Sequence, residues 1–148
     1  TKHLSKRDPL KMQDHYVYFQ QYIPTSCDYR INVCGKYVFG LVRLNKSEDE
    51  PFASGSGKNY VIDMSEPQQI QAAKMAIEIC EKHNINWMCF DFVEKDGQMY
   101  VLEMSSAWVF EAYEKCIMFD RELNRIENTV PSQYFEELKW LAEEKKQN

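Results

Sequence analysis

The sequence is short of the residues that build metal centres and covalent frameworks. Histidine occurs three times, at 3, 15 and 83, and cysteine five times, at 27, 34, 80, 89 and 116, with no C-x-x-C pair. A structural zinc site needs four such ligands at close spacing, and a disulfide framework needs paired cysteines, so both are disfavoured. Unpaired thiols suit a reducing compartment, and the expected location is cytoplasmic. No apolar run approaches the roughly 18–20 residues of a membrane span, and no apolar segment of the signal-peptide kind opens the chain. Positive charge is short as well: 18 Lys and Arg against 23 Asp and Glu leave a formal net charge of −5. General attraction to nucleic acid or to an anionic membrane is therefore not expected, and any phosphate must be met by a local site. The opening Thr1-Lys2-His3, without an initiating Met, fits a processed chain or a piece of a longer protein.

What is present suffices for one domain. The 148 residues are 44% hydrophobic and 14% aromatic, the size and composition of a chain that buries one core. Residues 1–15 are polar and basic, a weakly determined lead-in, so the domain is expected over 16–148. The run Tyr16 to Ile23 is rich in β-branched and aromatic residues and stops at Pro24, as a strand would. Asp28–Cys34 and Tyr37–Asn45 flank Gly35-Lys36, which suits a type II′ hairpin. Residues 46–59 are loop chemistry throughout. Ser65 and Gln68 have capping-box spacing, Pro67 sits in the first turn, and Ile70, Ala73, Ile77 and Cys80 recur at helical spacing, which predicts a helix over about 66–83. Trp87–Val93 and Gln98–Ser105 form a second hairpin through Asp96-Gly97, and Pro131-Ser132 opens an amphipathic helix bearing Tyr134, Leu138 and Leu141. The order β, β-β, α, β-β, α is that of an α+β domain with a mixed or antiparallel sheet and flanking helices.

The second hairpin holds the most chemistry. A three-residue loop, Lys95-Asp96-Gly97, with Gly97 left-handed, gives a register in which Met88, Phe90, Phe92, Tyr100, Leu102 and Met104 face a core. Trp87, Cys89, Asp91, Val93, Val101, Glu103 and Ser105 then share the other face, with Asp91 and Glu103 as diagonal neighbours. A two-residue turn would split the two carboxylates between faces. Two carboxylates with a hydroxyl nearby are hard oxygen ligands suited to Mg²⁺, which borrows the rest of its octahedron from water and phosphate. The plainer reading is two exposed acids on a half-solvated sheet, and a glycosidase acid/base pair is a further option.

In the first hairpin the Gly35-Lys36 turn sets Asp28 opposite Arg43 and Arg30 opposite Leu41. Asp28, Arg30, Asn32, Arg43 and Asn45 then share one face, and Tyr29, Ile31, Val33, Val38, Gly40 and Val42 the apolar one. Two guanidiniums on one face are able to clamp phosphate oxygens, while a simple Asp28–Arg43 surface pair explains the same residues at little energetic gain. Ser54-Gly55-Ser56-Gly57-Lys58 allows a phosphate-binding loop but lacks the G-x-x-x-x-G-K-[ST] spacing, and reads equally as a flexible loop.

Taken in order, Phe19 to Ile23, Asp28-Tyr29-Arg30, Gly35, Arg43, Phe52 before a Ser/Gly loop, a helix, Asp91 and Glu103-Met104-Ser105 resemble the C-terminal half of ATP-grasp ligases. The likeness is to the RimK and glutathione-synthetase type and covers roughly residues 16–108. It implies ATP and Mg²⁺ as cofactors. Gln20, Gln21, Tyr22 and Ile23 would be the hinge that meets adenine, Arg30 and Arg43 would face the γ-phosphate, and Asp91, Glu103 and Ser105 would ligate the metal. Ser105 stands where these enzymes usually carry Asn, a departure that bears on the second metal position. The implied reaction activates a small-molecule or peptide carboxylate as an acyl-phosphate for attack by an amine or similar nucleophile. The family's earlier subdomain, with its phosphate-covering loop, has no counterpart in these residues, so a longer ligase is expected. Two alternatives stand beside this one: a non-catalytic nucleotide-binding or interaction module that keeps the fold, and an unrelated α+β adaptor in which Asp91 and Glu103 point apart.

Overall fold

The computed structural model describes residues 19, 21–45, 58–106 and 113–127. The lead-in, the Ser/Gly loop apart from Lys58, Gln20 and the helix expected from Pro131 lie outside them. The described residues form β1 (Cys27–Cys34), β2 (Tyr37–Leu44), β3 (Asn59–Val61), α1 (Pro67–Lys82), β4 (Trp87–Lys95), β5 (Gln98–Ser105), β6 (Met118–Phe119) and β7 (Arg125–Ile126). All strand pairings are antiparallel, in the order β5-β4-β1-β2-β6-β7, with β3 also against β2. This is an α+β fold, and among the described residues the sheet is antiparallel.

The first hairpin forms in the register its turn dictates. Gly35 adopts φ 59°, and the ladder pairs Asp28 with Arg43, Arg30 with Leu41 and Ile31 with Gly40. Gly40 is required by close approach: a Cβ there would lie 2.2 Å from the Arg30 carbonyl oxygen and 3.1 Å from Ile62 Cδ1. Alternation turns Ile31, Val33, Val38, Phe90 and Phe92 to one side of the sheet, where they are buried with Ala72, Ala73, Ala76, Ile77 and Cys80 of α1. Fully burying an aliphatic or aromatic side chain of this size contributes about 1.5–3 kcal/mol.

The α1 boundaries match the helical spacing, but the capping box does not form. The N-cap is Glu66, without a side-chain cap. Gln69 turns back instead, its Oε1 accepting from the Asp63 and Met64 backbone N–H groups at 3.1 and 2.9 Å, while the Ser65 hydroxyl donates to Asp63 Oδ1 at 2.6 Å. At the other end Asn84, at φ 52°, stops the helix: its N–H reaches Glu81 O and that of Ile85 reaches Cys80 O, a Schellman closure.

The opposite face of the sheet is divided. Cys34, Phe39 and Leu41 form a second core with Tyr113 and Met118. Beyond it the same face carries Asp28, Arg30, Arg43 and Asp91. The strand expected over 16–23 is not seen in Gln21–Ile23, which have no regular structure. Pro24 has no N–H for a ladder, and the Thr25 hydroxyl donates locally to Cys27 O at 2.6 Å. No described helix is long and apolar enough to cross a membrane.

Candidate functional site

The second hairpin departs from its expected geometry in two ways that offset each other. Asp96 (φ 55°) and Gly97 (φ 79°) are both left-handed, and Lys95 pairs with Gln98, so the turn has two residues and not three. Such a turn alone would place Leu102 opposite Asp91. The ladder, however, runs from the Phe92–Val101 pair to the Asp91–Glu103 pair, so Leu102 is an extra residue, a β-bulge. Asp91 and Glu103 are therefore on one face and directly opposite, not diagonal. The two-residue turn also puts Val101 on the face of Phe92 and Tyr100 on that of Val93. Tyr100, Leu102 and Met104, expected in the core, are exposed: the turn sends Met99 and Val101 to the core side instead, Tyr100 to the opposite face, and Leu102 is the unpaired bulge residue.

Arg30 pairs with Asp91 across β1 and β4 and Asp91 with Glu103 across β4 and β5, so three adjoining strands bring these three residues into one row, while Arg43 reaches Asp91 from β2. The guanidiniums are already engaged. Arg30 Nε and Nη2 donate to Asp91 Oδ1 and Oδ2, both at 2.6 Å. Arg43 Nη2 donates to Asp91 Oδ2 at 2.8 Å, and its Nε donates to Asp28 Oδ1 at 2.5 Å. The Asp28–Arg43 pair is thus no isolated surface bridge but one end of a chain of four alternating charges. The side chains of Arg43 and Asp91 are only 10% and 9% exposed, against 29% for Arg30.

Burial pushes the Asp91 carboxyl up, but the hydrogen bonds and charges of Arg30 and Arg43 outweigh it and hold Asp91 below the usual carboxylate range. Asp28 has one guanidinium partner, burial prevails, and its carboxyl is raised. The hydrogen bonds that Arg30 donates to Asp91 lead the forces that keep Arg30 charged. Next to them, burial pushes the Cys89 thiol up to about 12, which leaves it a poor nucleophile. Glu103 is exposed, and Ser105 lies opposite Cys89 on the same face. Among the described residues no three His, Cys, Asp or Glu side chains gather closely enough to hold a metal ion. Two opposed carboxylates and a hydroxyl nevertheless suit Mg²⁺ that arrives with phosphate oxygens as further ligands.

Of the expected hinge residues, Gln21 and Ile23 line a cavity of about 250 Å³ with Lys95, Tyr100, Val101 and Leu102. The bulge residue Leu102 is thus both a wall of this cavity and the neighbour of Glu103. Tyr22 is half exposed and is not among its lining residues.

No protein-family model and no curated protein matches the sequence. Among solved structures, the chain is similar to macrocyclase MdnC bound with precursor peptide MdnA, from Microcystis aeruginosa MRC. The TM-score is 0.44 and the sequence identity 18%, over 62% of this chain and 28% of that one. The chain spans little more than a quarter of that structure's length.

Two residues that pattern reasoning passed over border the charged row. Tyr113 is buried, packs edge-on against Phe39 with ring centroids 5.7 Å apart, and has its phenol raised by burial, and by Cys89, against the pull of the Arg30 charge. Asn32 is wholly buried, and its amide makes no hydrogen bond to any described residue. Asn32 already shared the polar face in sequence. Tyr113 lies in an irregular segment where no periodicity marks it.

Proposed function

We propose that this chain carries the phosphate- and metal-binding face of an ATP- and Mg²⁺-dependent ligase of the ATP-grasp type, one that activates a carboxylate as an acyl-phosphate for attack by an amine or similar nucleophile. The observation that carries the reading is the meeting of Arg30, Arg43, Asp91 and Glu103 on one sheet face, beside a cavity lined by Gln21, Ile23 and Leu102. Ile23, Val101 and Leu102 in its lining suit the flat face of a purine, with the hinge backbone meeting the purine's polar edge. Arg30 and Arg43 present planar donor forks matched to phosphate oxygens, and both stay protonated at any working pH. Asp91 and Glu103, with Ser105 beside them, would hold Mg²⁺. That ion, when bound, neutralises charge on the phosphoryl oxygens.

In such a reaction the substrate carboxylate oxygen attacks the γ-phosphorus, the bond from that phosphorus to the bridging oxygen breaks, and ADP leaves. The amine then adds to the acyl carbon and expels phosphate. Little covalent work falls to the protein. Arg30 and Arg43 orient the transferring group and offset the charge that spreads over it. The carboxylate would be that of a small molecule or a peptide.

Ser105 favours a second reading, a nucleotide-binding module without catalysis, because a hydroxyl reaches less far than an amide carbonyl and is a weaker metal ligand. Calorimetric titration of the chain with ATP and Mg²⁺ tests both. Binding that is lost in Glu103→Ala is expected, and no heat, or binding unchanged in Glu103→Ala, contradicts the nucleotide site. ADP release on addition of a carboxylate and an amine separates ligase from binding module.

A further inference from the structure

We propose that Asn32 and Tyr113 enclose one water molecule beside Arg30, and that this water-linked pair steadies the Arg30 guanidinium. The inference is independent of what binds at the charged row. It begins with Asn32, whose side chain is wholly buried and whose Nδ2 and Oδ1 both lack a hydrogen-bond partner among the described residues. A buried amide left bare is costly, and native proteins pair nearly all such groups with protein or with ordered water.

The surroundings decide what reaches the amide. In the ladder Asn32 stands between Phe39 on β2 and Cys89 on β4, both buried, and Arg30 is two residues along on the same face. Tyr113 packs its ring edge-on against Phe39, and its phenol responds to both the Cys89 thiol and the Arg30 charge. Phe39, Cys89 and Arg30 surround Asn32 on three sides, so a ring that leans on the first and carries its hydroxyl toward the other two spans the amide. Phe39 offers no polar atom, and a thiol is a weak partner. The Tyr113 hydroxyl both donates and accepts, yet it makes no direct hydrogen bond to Asn32. A water between them accepts from the hydroxyl or from Asn32 Nδ2 and donates to Asn32 Oδ1, so that buried polar atoms on both sides gain partners. Arg30 is the more exposed of the two guanidiniums, and Asp91 engages only its Nε and Nη2. The fixed phenol is its neighbour on the side of the second core. Tyr113 is thus a positioning residue, acting through Arg30.

A crystal structure of the 148-residue chain tests the water directly. Ordered density within hydrogen-bond distance of both the Asn32 amide and the Tyr113 hydroxyl is expected, and an amide that is dry or bonded to a protein group overturns the inference. A double-mutant cycle in urea tests the link. Asn32→Leu, close to isosteric, and Tyr113→Phe are each expected to lower the ratio of folded to unfolded chain about 2- to 12-fold, the net worth of one hydrogen bond, and the double variant to lose little more than the worse single one. Asn32→Leu that raises the ratio, or two effects that multiply in full, overturns it. Tyr113→Phe also tests the positioning, because it keeps the ring on Phe39 and removes one hydroxyl. The Arg30 Nε–H resonance is expected to shift and to exchange faster with solvent, and a resonance unchanged in both respects contradicts the steadying of Arg30. No nucleotide enters these measurements, so their failure leaves the nucleotide reading standing. The unaltered chain decides on the water even where a variant does not fold.

Discussion

Glu103 stands directly opposite Asp91 in the β4–β5 ladder, and the residue before it, Leu102, has no ladder partner. The bulge therefore serves two ends: it keeps the carboxylates on one face in spite of the two-residue turn, and it sends Leu102 to the cavity beside the hinge.

Deleting Leu102 leaves Glu103 opposite Asp91 in an unbroken ladder but removes one wall of the cavity. Base contacts suffer and phosphate contacts do not. The expected outcome is ATP binding weakened about tenfold or more, the loss that goes with removing roughly 1.4 kcal/mol of apolar contact. Pyrophosphate binding with Mn²⁺ stays unchanged. Calorimetry with the two ligands checks the difference.

Asp91 is the shared acceptor of both guanidiniums, so its removal strands positive charge in a poorly solvated place. Asp91→Ala is expected to lower unfolding free energy by about 3–5 kcal/mol, the usual range for breaking a buried pair from one side. Glu103 is exposed and has no ion pair among the described residues, so Glu103→Ala is expected to cost under about 0.5 kcal/mol. Urea denaturation of the two variants compares them directly.

The two aspartates give opposite pH signatures. The Asp91 carboxyl is lowered in the folded chain, so its contribution is present above the unfolded value near 4 and fades as pH falls through the lower folded value. The Asp28 carboxyl is raised, so the folded state takes up a proton more readily there, and that contribution is present below the unfolded value and is lost as pH rises through the folded one. Asp91→Asn is therefore expected to flatten the loss of stability on the acid side. Asp28→Asn is expected to steepen it. Denaturation midpoints between pH 3 and 7 read both.

How far the sequence reached varies with the kind of signal. A glycine that must take positive φ announced the first turn, and the whole β1–β2 register followed from it, down to Asp28 against Arg43. The α1 stripe was legible for the same reason, a period repeated over four turns. The second turn was misjudged because aspartate, like glycine, tolerates the left-handed region, and Asp96 used that freedom. The bulge at Leu102 carries no residue signature, nor do β6 and β7, which are two residues each. That Arg30 and Asp91 would be partners needed the β1–β4 pairing, a long-range contact that no local pattern encodes.

Gly40 shows how closely the site depends on backbone fit. Its missing side chain admits the Arg30 carbonyl, so Gly40→Ala forces β1 and β2 apart at the residue that carries a guanidinium. A destabilisation of about 1–3 kcal/mol is expected, together with weaker pyrophosphate binding. Thermal unfolding and calorimetry on one sample check both effects.

The most direct test of the charged row is to follow the Arg30 Nε–H and Arg43 Nη–H resonances, the groups that donate to Asp91, by NMR as Mg²⁺ and ATP are added. Both signals are expected to shift together on saturation, as the guanidiniums exchange Asp91 for phosphate, and neither to shift with Mg²⁺ alone. ATP that binds while both resonances keep their starting positions would contradict the account.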